Sequence, residues 1–176
     1  MLQAFLNHKW TKRAAFVLCL TPLGVLIWKG LHNDLTANPI EKITHFTGDW
    51  TIYFLLITLS VTPLRKLVPP LNLIRFRRMF GLFAFFYGCL HFATYMALDL
   101  FFDFSRIAED IVLRPFITVG FTGFVLMIPL AVTSTAKMIR RLGGRRWNLL
   151  HRLVYVTAVC GVVHYYWLVK SDVRLP

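Results

Sequence analysis

The sequence predicts an all-α integral membrane protein, a bundle of about five transmembrane helices, and three observations lead there. Of 176 residues 57% are hydrophobic, only 16% are charged and 16 are Phe, a composition too apolar for a soluble domain of this length. Five apolar runs, near 14–30, 48–64, 79–98, 115–136 and 148–169, approach the roughly 20 residues that cross a bilayer. The charges are also segregated. Lys9, Lys12 and Arg13 precede the first run, Arg65, Lys66, Arg75, Arg77 and Arg78 lie between the second and third, and the basic stretch Lys137 to Arg152 lies between the fourth and fifth. All eight acids fall on the opposite side, from Asp34 to Asp172. That asymmetry is the positive-inside pattern. It puts the N-terminus in the cytoplasm and Pro176 outside, and it accounts for the net charge of +12 without any nucleic acid.

Taken in order, the first run follows a basic start, but no small-residue cleavage pattern follows it, so a retained helix is expected rather than a signal peptide. The second run, 48–64, is the shortest. Pro63 and Pro115 mark helix ends, and Pro129 should kink the fourth helix. Trp10, Trp28, Trp50, Trp147 and Trp167 fall within a few residues of the expected helix ends, where an indole favours the headgroup region. Cys19, Cys89 and Cys160 lie inside apolar runs at spacings that fit no zinc or disulfide framework, so they are packing residues. No solenoid repeat, low-complexity tract or linker divides the chain, and a single domain over 1–176 is expected.

Six histidines separate by depth. His8 is in the basic N-terminal tail and His32 in the first outer loop; His45, in "THFTG", stands at the outer mouth of the second helix, to cap it or face a partner. His91 is about 18 Å into the third helix and His164 about 24 Å into the fifth, at 1.5 Å per residue. Both belong to the outer half of the membrane. An ionisable group at that depth is costly and by default lines a functional interior. The alternative is a histidine that only bonds a neighbouring helix. Three residues before each, however, stands a glycine, Gly88 in "GCLH" and Gly161 in "GVVH", one turn below on nearly the same face. Each could clear a flat slot for a porphyrin, although small residues also let helices approach closely. The pairing suggests haem between helices 3 and 5, held by His91 and His164. Two imidazoles on one iron leave no open position, which suits electron transfer rather than reactant binding.

His151 precedes His164 by thirteen residues, a spacing that turns them about 140° apart on an ideal helix. Either a π-bulge lies near Gly161 or the two histidines serve different neighbours. Arg145, Arg146, Trp147 and Arg152 surround His151 in a setting suited to haem propionates or a flavin phosphate. An interfacial histidine among lipid phosphates is the plain alternative.

The stretches "THFTG", "TPLR", "NLIRFRRMFGL", "LHFATY", "RPFITVG" and "TSTAKMIRRLGGRRWNLLHRLVY" resemble the MsrQ (YedZ) family, ferric reductase-like haem-binding membrane subunits of periplasmic methionine sulfoxide reductase systems. The likeness spans nearly the whole chain. It implies a multi-pass inner-membrane cytochrome with b-type haem and FMN, fed by the quinone pool or a cytoplasmic flavin reductase. Electrons would pass to a periplasmic molybdopterin reductase, MsrP-like, which holds the sulfoxide chemistry; the chain itself would not be the enzyme. The resemblance carries the haem-ligand role onto His91, His151 and His164. The wider ferric reductase pattern has two histidines on each of two helices, whereas Arg77 and Arg78 occupy the positions fourteen and thirteen residues before His91. A second haem would therefore need His151 with another partner, or flavin takes its place. A sixth helix, common in the family, is not seen after "KSDVRLP".

The basic loops, Arg77, Arg78, Arg145, Arg146 and Arg152 among them, are topology determinants or a cradle for anionic cofactor groups. The acidic, aromatic "DLFFDFSRIAED" is a candidate docking loop for a soluble partner. No glycine-rich phosphate loop or dinucleotide fingerprint occurs, so NAD(P)H binding by the chain itself is not expected. Two other readings of the histidines stand beside electron transfer: a non-redox transporter or channel, and a membrane anchor for a periplasmic partner. The first is weakened by the absence of intramembrane carboxylates and of an inverted repeat.

Overall fold

A computed structural model describes residues 8–68 and 73–172, and those residues form helices and turns with no strand. The helices are α1 (Lys9–Leu31), α2 (Pro39–Leu67), α3 (Ile74–Thr94), α4 (Phe104–Leu113), α5 (Pro115–Val132), α6 (Ala136–Leu142), α7 (Gly144–His151) and α8 (Leu153–Asp172). A π-helical turn, Tyr95–Asp99, follows α3. Each expected span has a helix, and the chain is a membrane protein. Lys9–Leu31, Ile74–Asp99 and Pro115–Val132 are both long and apolar enough to cross a bilayer. The placement expected for Pro176 lies outside the described residues. The chain divides into two compact units, Met1–Thr94 and Tyr95–Pro176.

In the first unit, α2 begins nine residues earlier than the apolar run suggests. Asn38 is the reason: its Oδ1 accepts from the Glu41 backbone N–H at 3.3 Å and its amide donates to Glu41 Oε2 at 2.9 Å. Pro39 then occupies the first turn, where its missing N–H has no cost. His45 consequently lies inside the helix rather than at its cap. Trp50 also moves inward, away from a helix end, and packs against Phe54 and Tyr87 at ring separations of 5.6 and 6.3 Å.

Pro22 interrupts α1, and the neighbouring side chains repair the ladder. The carbonyl that a residue at position 22 would normally reach is that of Leu18, and the Thr21 hydroxyl donates to it at 2.7 Å. One rung later, Leu23 N–H donates to the Tyr87 hydroxyl at 3.2 Å, and that hydroxyl donates to Cys19 O at 3.0 Å. Tyr87, on α3, thus sits in the rung between Leu23 and Cys19. Its side chain is fully buried, and its ring stacks on Phe54 at 5.4 Å, which in turn stacks on Phe83. Cys19 is buried in this core, and all three cysteines are free thiols, as expected of packing residues.

In the second unit the acidic, aromatic segment is not an open loop. Leu100 N–H closes the π-turn on Tyr95 O, Phe102 N–H reaches Met96 O, and Phe101 and Phe102 take left-handed φ of 47° and 59°. Asp103 then caps α4 by accepting from Arg106 N–H at 3.1 Å. Asp110 accepts from the Tyr95 hydroxyl at 2.9 Å and pairs with Arg114 at 3.1 Å.

The fourth and fifth helices are shorter than their apolar runs. α5 ends at Val132, three residues after Pro129, where Thr133 N–H and the Thr133 hydroxyl both donate to Pro129 O. Instead of a kinked helix continuing to 136, a break follows, and Thr135 caps α6. The fifth run is split at Arg152, between α7 and α8, while the backbone through Gly161 is α-helical with no π-bulge. The thirteen-residue spacing of His151 and His164 is thus resolved by an interrupted helix.

Replacing Tyr87 by Phe keeps the ring stack but leaves the Leu23–Cys19 rung without its hydroxyl. Thermal unfolding of the purified protein in detergent should show a loss of about 1–3 kcal/mol; an unchanged midpoint would refute the repair.

Candidate functional site

Each unit carries one deep histidine held in the same way. In the first, His91 Nδ1 lies 2.8 Å from the Thr44 carbonyl of α2. In the second, His164 Nδ1 lies 2.7 Å from the Phe116 carbonyl of α5. A carbonyl can only accept, so Nδ1 carries the proton in both rings, and in the neutral imidazole the lone pair resides on Nε2. The acceptor and histidine are 47 residues apart in one unit and 48 in the other.

Two glycines make this approach possible. In an α-helix the carbonyl of residue i points toward residue i+4, whose side chain lies over the same face. Four residues after Thr44 stands Gly48, and four after Phe116 stands Gly120. A Cβ on Gly48 would lie 3.1 Å from His91 Cε1 and Nδ1; on Gly120 it would lie 2.6 Å from His164 Nδ1 and 2.9 Å from Cε1. The rings occupy the volume that an ordinary side chain would fill. The Phe116 ring lies nearly parallel to that of His164, 6.1 Å away.

The glycines that face the two imidazoles are Gly48 and Gly120, on the partner helices, not Gly88 and Gly161. Gly88 is buried in α3, and Gly161 stands at the α5–α8 contact, its backbone N 4.0 Å from where a Cβ on Gly123 would be. That contact is the close helix approach weighed as the alternative for these glycines. Gly48 and Gly120 were missed, though each ends a stretch already conspicuous, "THFTG" and "FITVG". The readable signal was a glycine four residues beyond a position able to offer its carbonyl across a helix pair.

His151 is held differently. Its Nε2 lies 3.0 Å from the Thr133 hydroxyl, which already donates to Pro129 O at 2.6 Å. With the hydroxyl hydrogen directed to Pro129 O, the oxygen accepts from Nε2–H, so His151 meets its neighbour through Nε2 where His91 and His164 use Nδ1. Trp147 stacks on the ring at 3.8 Å, and its indole N–H donates to Thr133 O at 2.9 Å. His151 and His164 thus serve different neighbours. Arg145, Arg146 and Arg152 are exposed beside this cluster. In the first unit, Arg78 on α3 is exposed and Arg77 half-buried.

The shallow histidines take local roles. His8 caps α1, accepting from Trp10 N–H, and His32 Nδ1 donates to Trp28 O at the far end. Among the described residues no group of three or more His, Cys, Asp or Glu is placed to hold a bare metal ion.

Residues 47–162 match the family described as ferric reductase like transmembrane component. A protein of Herminiimonas arsenicoxydans is 58% identical over 167 residues, covering 94% of this chain and 77% of the relative. One from Ralstonia nicotianae is 54% identical over 154 residues, covering 88% and 71%, and one from Rhodospirillum rubrum is 53% identical over 166, covering 93% and 78%. Each is named protein-methionine-sulfoxide reductase heme-binding subunit MsrQ. The chain belongs to the MsrQ family. Membership of this ferric reductase-like family gives it a membrane electron-transfer role. No solved structure matches the chain.

Because both rings fill glycine sites, Gly48→Ala and Gly120→Ala should each destabilise their unit by about 1–3 kcal/mol through overpacking. Gly120→Ala should cost more, since its Cβ would come nearer the ring. Unfolding midpoints in detergent check both the loss and the order.

Proposed function

We propose that the chain is a single-domain b-type cytochrome of the inner membrane, with His91 and His164 as haem-iron ligands through Nε2. The observation that carries this reading is the repeated Nδ1–H to carbonyl bond behind each ring. A histidine that binds metal commonly donates its other N–H to a carbonyl or carboxylate, which fixes tautomer and orientation and raises ligand basicity. Among histidines that merely join helices there is no reason for both to choose the same tautomer, the same acceptor type and the same glycine at i+4. The buried Thr157 hydroxyl adds to the fit: it has no hydrogen-bond partner among the described residues and lies two turns before His164 on the same face of α8. A polar group in that position suits a ligand with polar substituents.

Haem held by His91 and His164 would supply one-electron redox chemistry. What the chain contributes is depth, orientation and exclusion of water. In this reading Gly88 and Gly161 give clearance to the porphyrin. Arg77, Arg78, Arg145, Arg146, Arg152 and Trp147 receive propionates or the phosphate of FMN near the cytoplasmic side, where the N-terminus lies. Electrons come from the quinone pool or a flavin reductase and leave to an MsrP-like periplasmic molybdopterin reductase, in which sulfoxide reduction takes place. The exposed Phe101, Phe102 and Phe104 and the acids beside them offer that partner a docking surface. His151 is the third proposed ligand. Ligation through its Nε2 requires exchange of Thr133 for iron, since that nitrogen otherwise carries a proton bonded to the hydroxyl.

The reduced-minus-oxidised spectrum of purified protein should show b-type bands that fall by about tenfold or more in His91→Ala and in His164→Ala with helical circular dichroism retained, as expected when one of two axial ligands is removed. Undiminished bands in either variant would refute the pair. Haem per chain in wild type and in His151→Ala separates the roles of the third histidine: a lower value in the variant marks a ligand of a second haem, and an unchanged value marks a positioning contact with Thr133 and Trp147.

A further inference from the structure

We infer that a cleft in the first unit, between the N-terminal turns of α1 and α3, is a binding site for one anionic phospholipid. The cleft has a volume of about 600 Å³ and is lined by Lys9, Lys12, Arg13, Phe16, Val17, Arg75 and Met79. The α1 residues follow a spacing of three and four, which places them on one stripe of the helix, and Arg75 and Met79 are one turn apart on α3. Four of the seven are cations and none is an acid. Arg13 also lies over the Trp10 ring at 4.8 Å, which steadies its guanidinium near the mouth.

The polarity along the cleft selects the ligand. Lys9, Lys12, Arg13 and Arg75 occupy the first turns of two helices whose N-termini lie at the same end, so backbone dipoles add to the side-chain charge there. Phe16, Val17 and Met79 follow one to two turns deeper, beside exposed apolar surface of α1 that includes Val17 and Leu18. Lys9–Leu31 and Ile74–Asp99 are both apolar enough to cross a membrane, so the gradient from cationic mouth to apolar wall runs along the bilayer normal. A phosphate diester with acyl chains matches both ends of that gradient. A soluble phosphate would satisfy the mouth and leave the wall exposed. A zwitterionic headgroup would bring its own ammonium among four cations. Basic pockets between transmembrane helices recognise anionic headgroups by this combination.

The inference stands apart from the haem reading, because it uses other residues and a different readout. The test is native mass spectrometry of the delipidated full-length protein in detergent, titrated with phosphatidylglycerol, phosphatidylcholine or inorganic phosphate. One phosphatidylglycerol should bind at least about tenfold more tightly than phosphatidylcholine, with cation contributions near the surface summing over four residues. Lys9→Gln/Lys12→Gln/Arg13→Gln/Arg75→Gln should abolish the preference, whereas Lys66→Gln/Lys137→Gln/Arg140→Gln/Arg141→Gln, with equal loss of charge, should keep it. Arg75→Gln alone, the smallest change in the cleft, should weaken phosphatidylglycerol binding severalfold and serves if the quadruple variant fails to fold. Equal affinity for the two lipids, loss of preference in the distal variant, or displacement of the lipid by millimolar inorganic phosphate would each overturn the assignment.

Discussion

A backbone carbonyl or N–H that leaves its helical ladder inside a membrane has no water to turn to, and a partner must come from the protein. Side chains that cross from one helix to the backbone of another meet this constraint throughout the molecule. Tyr87 enters the rung next to the one opened by Pro22, His91 reaches Thr44, His164 reaches Phe116, and Trp147 reaches Thr133. Each such bond places a ring at a defined depth and fixes its rotation. The deep imidazoles are oriented by the same economy of hydrogen bonds that holds the helices in register.

That economy explains why glycine recurs where histidine docks. A second donor can share a helical carbonyl only if the side chain four residues on does not cover it, and in both units that residue is glycine. The two arrangements are near copies despite little likeness between "THFTG" and "FITVG" beyond the final residue. What is repeated is an acceptor, a gap and a ring. His151, bonded to a hydroxyl through Nε2 and stacked on an indole, lies outside this scheme.

The polar ends of the helices show the same division between chemistry and packing. Asn38, Asp103 and Thr135 cap helices and so consume side chains that looked like surface groups. Asp110 is tied to Tyr95 and Arg114, which leaves the aromatic residues Phe101, Phe102 and Phe104 as the more exposed part of a segment that reads in sequence as an acidic loop. Some of the segregated basic residues, Lys9, Lys12, Arg13 and Arg75, also line a cleft, where segregation of charge becomes a site of definite shape.

Composition, apolar run length and charge asymmetry determined the all-α membrane class and the positions of the helices, because solvation by lipid acts on each segment regardless of its neighbours. The placement of His91 and His164 well inside helices was legible for the same reason. Helix ends were not, since α2 is extended by a cap at Asn38 and α5 is stopped by Thr133 folding back on Pro129, events that depend on individual side-chain bonds. Nor were Gly48 and Gly120, or the tautomers of the three histidines. Those follow from which carbonyl stands opposite which ring, and only the packing of one helix on another decides that.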